Sequence, residues 1–173
     1  LVGHKGITLG TGRVWFNLPS ANSSLYGTTF WNDTAPTSTT ISLGDNQNCN
    51  QSGNNFICYA FHSSDVCKVG SYTGNGSADG PYIHLGFRAS WIMVKSTGAS
   101  NWFIWDTSRK PYNATTPPLF PNSSSAEEAT LYPIDILSNG FKLRGASGLG
   151  INESATYIFL AFAENPFKYA NAR

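Results

Sequence analysis

Charge is scarce in this 173-residue chain. Asp, Glu, Lys and Arg together make up 12% of it, about half the roughly 25% of an ordinary soluble domain. The formal net charge of +1 leaves no basic footprint for phosphate, so nucleic acid is excluded as a partner. No apolar run approaches the roughly 18–20 residues of a membrane-spanning helix, and no signal peptide opens the chain. Cysteine is limited to Cys49, Cys58 and Cys67, an odd number without a C-x-x-C pair. A secreted disulfide scaffold carries more cysteines, in even number. They read as reduced, mostly buried thiols of a chain folded in a reducing cytoplasm. The one methionine is Met93 and residue 1 is Leu, so the expectation is a piece of a longer polypeptide. Also absent are G-x-S-x-G, H-E-x-x-H and any Ser/His/Asp spacing that would support nucleophilic catalysis.

What the chain has in quantity is aromatic residues, 14%, and 17 glycines, with Asn, Ser and Thr supplying the polar surface. No stripe of helical period stands out. Between residues 69 and 109 four short strand-like runs follow one another, at 69–73, 81–86, 91–95 and 102–105. Gly and Asn separate them and supply the positive-φ corners of tight reversals. The β-branched and aromatic residues inside the runs suit a pleated, half-buried surface. The reading is a central meander of four strands with further β structure packed against it.

Further strands are expected at 12–18, 25–31, 39–43, 55–61, 131–136, 141–144 and 156–163, and one helical turn at 126–129. In 55–61 the alternation puts Phe56, Cys58 and Ala60 on one face and Ile57, Tyr59 and Phe61 on the other. Both faces are apolar, which predicts a central strand buried on both sides. In 102–105 the pairs Trp102/Ile104 and Phe103/Trp105 fall on opposite faces, and at least one pair must be internal.

The last third repeats the first. Leu18-Pro19-Ser20 corresponds to Phe120-Pro121-Asn122, and Ile41-Ser42-Leu43-Gly44 to Phe141-Lys142-Leu143-Arg144. Phe56-Ile57-Cys58-Tyr59-Ala60-Phe61 matches Tyr157-Ile158-Phe159-Leu160-Ala161-Phe162. The expected architecture is an all-β, antiparallel, jelly-roll-like β-sandwich. It comprises a truncated first repeat over residues 1–63, lacking its opening strands, and a complete second repeat over 64–173.

Several strings in the chain carry a family resemblance. Gly70-Ser71-Tyr72-Thr73-Gly74-Asn75-Gly76, Asp79-Gly80-Pro81 and Asn101-Trp102 with Asp106 and Arg109 are among them. So are Asp135-Ile136-Leu137-Ser138-Asn139-Gly140 and Ala161-Phe162-Ala163-Glu164-Asn165-Pro166-Phe167. Residues 32–173 resemble an uncharacterised repeat domain of bacteriophage tail and tail-fibre proteins. The resemblance implies a virion location at the receptor-binding end of a tail fibre, with synthesis in the host cytoplasm. It also implies a homo-oligomer, usually a trimer, contacting other tail proteins and host cell-surface glycan or protein. It brings no catalytic motif.

The expected function is therefore a non-enzymatic attachment module. A structural spacer or collar, and a polysaccharide depolymerase, are the alternatives. A depolymerase would need a carboxylate pair, and Asp106, Asp135 and Glu164 each end a predicted strand. Asp106 is expected to pair with Arg109, and the other two to cap turns. No cofactor is expected. His62, Asp65 and Cys67 give too few convergent donors for a metal, and Asp79 in its Gly-rich turn too few for calcium.

Sugar rings stack on exposed aromatic faces, so the ligand surface is sought on loops held by the scaffold. The loop 110–126 carries Tyr112, Asn113, Phe120 and Asn122, aromatics mixed with amides. The corresponding loop of the first repeat offers Asn32 and Asp33 beside Trp31. Against this stands the reading that Pro117, Pro118 and Pro121 stiffen a crossing while Phe120 fills the core.

Overall fold

The computed structural model describes residues 2–9, 12–16, 23–25, 30–32, 34, 36–114, 117–127, 131–146 and 148–165. It is nearly all β. Three N-terminal strands, β1 (Val2–Leu9), β2 (Gly12–Phe16) and β3 (Ser23–Leu25), form one antiparallel sheet in the order β1-β2-β3. A single helical turn, α1 (Gln47–Asn50), follows, with Asn46 capping it through the backbone N–H of Asn48.

Seven strands make the main body: β4 (Cys67–Thr73), β5 (Tyr82–His84), β6 (Ala89–Ser96), β7 (Trp102–Asp106), β8 (Ile134–Leu137), β9 (Gly140–Leu143) and β10 (Thr156–Ala163). They build a four-stranded sheet, β4-β10-β6-β7, and a three-stranded sheet, β5-β9-β8, with every pairing antiparallel. The inner faces of the two sheets share one core. Tyr72, Ile92, Val94, Phe103, Trp105 and Phe159 from the larger sheet meet Ile83, Ile134, Ile136, Phe141 and Leu143 from the smaller. The Phe141 ring stands edge-on to Phe159 at 5.7 Å and to Tyr72 at 6.3 Å, which ties the sheets together. The sandwich predicted from strand spacing is what forms.

Its order differs from a meander. β5 leaves for the smaller sheet, and β10, from the far end of the chain, sits between β4 and β6. Alternation sets which face each strand buries but not which strand lies beside it, and β10 carries the most apolar stretch available. Tyr157, Ile158, Phe159, Leu160 and Ala161 are all buried. Gly70 of β4 makes room for it, since a Cβ there would fall 2.6 Å from the Phe159 ring. Of the two pairs in β7, Phe103/Trp105 is in the core, while Trp102 is buried and Ile104 half-buried.

Two expected strands do not form: residues 39–43 are irregular, and residues 55–61 lie outside any strand and are exposed throughout. Of the expected strand 25–31, Leu25 ends β3, residues 26–29 lie outside the described residues, and Phe30 and Trp31 lie in a helical turn. A strand apolar on both faces needs a strand on each side, and no described strand flanks residues 55–61. The predicted turn at 126–129 is not helical at 126 and 127, and 128–129 lie outside the described residues. The cysteines are free, but only Cys67 is buried, where desolvation raises its thiol pKa; Cys58 is exposed.

Candidate functional site

The loop leaving β7 is stitched down along its whole described length. Arg109 is the first clamp: its Nε bonds Asp106 Oδ2 at 2.5 Å, and its Nη1 reaches Pro117 O at 3.2 Å and Glu127 Oε2 at 2.8 Å. The expected Asp106–Arg109 pair is thus present. Partial burial opposes ionisation of Asp106. The backbone N–H and guanidinium of Arg109 outweigh it and hold the carboxyl below its ordinary value. Leu119 then pairs with Ile104 through both backbone groups, at 2.9 and 3.0 Å, adding one rung to the β7 edge.

The predicted ligand residues of this loop have different fates. Asn113 turns its amide onto the outer edge of β8: Oδ1 accepts from Ile136 N at 2.9 Å and Nδ2 donates to Ile136 O at 3.1 Å. Its side chain therefore serves as a strand partner, with one donor and one acceptor committed to Ile136. Asn122 behaves likewise, accepting from Trp102 N at 2.9 Å and donating to Asn101 Oδ1 at 3.1 Å. Phe120 is half-buried against Phe103 and Tyr132, 5.6 and 5.8 Å away between ring centroids. Tyr112 is the more exposed of the two aromatics, at 79%.

The first-repeat candidates lie on a different element. The Trp31 ring is packed so closely on β1 that a Cβ at Gly3 would come within 2.9 Å of it. Its indole N–H is buried without a partner among the described residues. Asn32 is exposed, with φ 48°, and rims an open hollow of ≈ 360 Å³ shared with Leu43, Gly44, Asp45 and Asn50. Asp33 lies outside the described residues.

The carboxylates at the strand ends are each held by cations. Asp135 bonds Arg144 at 2.5 Å, Glu164 bonds Arg88 at 2.8 Å, and Asp79 bonds Lys142 at 2.7 Å. Asp135 and Glu164 are thus ion-paired rather than turn caps. The hydrogen bond and charge of Lys142 lower the Asp79 pKa. Among the described residues no group of three or more His, Cys, Asp or Glu is placed to hold a metal, and no helix is long and apolar enough to cross a membrane.

Sequence reasoning passed over Asn152. It is fully buried, with Nδ2 donating to Ser77 O at 2.7 Å, Gly145 O at 2.9 Å and Asn75 Oδ1 at 3.1 Å, while Oδ1 accepts from Asn75 N at 3.0 Å. This amide fastens the Gly-rich loop after β4 to the segment before β10. The one available signal was the correspondence of Asn152-Glu153-Ser154 with Asn50-Gln51-Ser52 in the repeat, which carries no hint of burial.

No curated protein and no solved structure matches the chain. The model of a family described as a domain of unknown function (DUF7483) matches residues 1–166, and the chain belongs to that family.

Proposed function

We propose that the protein is a non-enzymatic attachment module of a phage tail fibre, working as a homo-oligomer that contacts host cell-surface glycan. The tail-fibre part of this reading rests on the sequence resemblance. The binding part rests on one observation: Tyr112, 79% exposed, is displayed by a loop otherwise bound to the scaffold at Arg109, Asn113, Leu119 and Asn122. Ordering a loop at the moment of binding costs affinity, and a loop already fixed avoids that cost. A rigid phenol face with few rotatable bonds is the side chain that stacks on a sugar ring.

The geometry also corrects the obvious test. Replacing Asn113 would remove two bonds to Ile136 and lower stability whatever the ligand does, so the informative variant is Tyr112→Ala. It should reduce adsorption of the purified protein to host cells and leave the melting temperature unchanged. Adsorption that survives removal of surface polysaccharide would indicate a protein receptor. Release of reducing ends from that polysaccharide would indicate a depolymerase, and no adsorption by the unaltered protein would indicate a spacer.

A further inference from the structure

Residues 51–62 are exposed without a break, and they include the most exposed large apolar side chains of the described chain. Ile57 and Tyr59 are 82% and 80% exposed, Phe61 52% and Phe56 46%. Single exposed apolar residues are ordinary, but a contiguous run of this kind marks a contact surface. Among the described residues no backbone hydrogen bond holds residues 55–61. The corresponding six-residue string, 157–162 in β10, is buried at five of its six residues. One sequence pattern is thus found once with strands on both sides and once with none.

The position of the run says what it lacks. It leads directly to β4, which is an edge strand of the larger sheet. At that edge Ser64 N donates to Cys67 O at 2.7 Å, closing the tight turn through Asp65 and Val66 that starts a hairpin. The ladder stops one step later. The Ser63 hydroxyl takes both backbone groups of Val69, at 3.2 Å each, where the backbone of His62 would otherwise pair. Since the backbone groups of Val69 face outward, so by alternation do those of Ser71 and Thr73, and among the described residues no strand is hydrogen-bonded to that edge. Among the described residues the chain therefore carries an apolar segment outside any sheet and an unpaired sheet edge, and the hairpin between them stops after its first rung.

We propose that residues 55–61 are an exchange strand, taken up antiparallel by the free edge of β4 in a neighbouring copy of this chain. A second copy fits because it brings both complementary parts: each protomer offers the strand and accepts one, which is how a closed ring of identical contacts is built. The segment contains no charged residue, so no desolvated charge opposes its burial. The inference stands apart from receptor binding, which depends on Tyr112 and a different loop.

Exchange that keeps the register of the hairpin begun at Ser64 and Cys67 fixes which residues meet. Two residues at a time it places Ala60 opposite Ser71 and Cys58 opposite Thr73. Directly opposed residues in a hydrogen-bonded pair have Cα atoms roughly 5.5 Å apart, within disulfide range. The test is a Thr73→Cys variant in a Cys49→Ser background, oxidised gently, alongside light scattering of the unaltered chain. Both Thr73 and Cys58 are exposed, so the pair is accessible. The expected result is an oligomer in solution and a covalent link between chains on a non-reducing gel, lost when Cys58→Ser is added. Ile57→Asp with Tyr59→Asp should raise the dissociation constant by about a hundredfold or more, the scale of removing buried anchors from an interface. A monomer at high concentration, a link formed only within one chain, or an oligomer indifferent to the Asp substitutions would each overturn the proposal.

Discussion

Asn152→Ala removes a side chain whose four hydrogen bonds join two loops, while its backbone carbonyl still accepts from Gly76 N at 2.7 Å. Each lost bond is worth about 1 kcal/mol net, and an acceptor left dry costs more. Gly145 O is the acceptor most enclosed, bonded from Nδ2 in a buried setting. Asn75 and Ser77 are exposed, so water can replace part of what they lose. The sum is a destabilisation of about 3–4 kcal/mol. That is a large share of the roughly 5–15 kcal/mol that holds a domain folded. Equilibrium urea unfolding should show a lower midpoint with an unchanged slope. A double-mutant cycle with Asn75→Ala should show coupling, because one of the four bonds joins the two side chains. A loss under about 1 kcal/mol would refute the idea that this amide fastens the loops.

Other substitutions and conditions test other parts of the fold. A Cβ on Gly74 would lie 2.0 Å from Glu153 O and 2.7 Å from the carbonyl carbon of Asn152, so Gly74→Ala should cost several kcal/mol, whereas Gly53→Ala, at φ +84° with open space around it, should cost about 1 kcal/mol. Burial lowers the Lys95 amine from 10.5 to about 8, with Nζ donating to Ser96 O and Gly98 O. Between those two values the unfolded chain holds the extra proton, so this group penalises folding fully below pH 8 and ever less as pH rises towards 10.5. Measured against Lys95→Met, wild-type stability should gain on the order of 3 kcal/mol across that window; a constant difference would refute the assignment. Arg109→Ala should loosen the loop after β7, seen as faster amide exchange at Leu119, although exposed ion pairs alone contribute little.

Much of the sandwich was legible because its strands are short, alternating and punctuated by Gly and Asn. β10 was delimited at both ends from sequence, Thr156 to Ala163, since Pro166 and the polar turn before it leave little choice. What alternation cannot specify is neighbours, so β5 read as part of a meander although it pairs with β9 in the other sheet. Residues 55–61 misled for the same reason: their pattern is that of a buried strand, but burial needs flanking strands that this part of the chain does not supply. The candidate site was half legible. Aromatics and amides on a long loop marked the place, yet nothing in the letters distinguishes an amide facing solvent, as expected of Asn113, from one paired to Ile136. Tyr112 is exposed because its neighbours do the anchoring.

The most direct test of the attachment reading is calorimetric titration of the purified protein with glycan extracted from the host surface, repeated with Tyr112→Ala. Saturable binding by the unaltered protein, weakened about tenfold or more by the substitution at unchanged stability, is the predicted result. Equal affinity in the two proteins, or no binding by either, would contradict it.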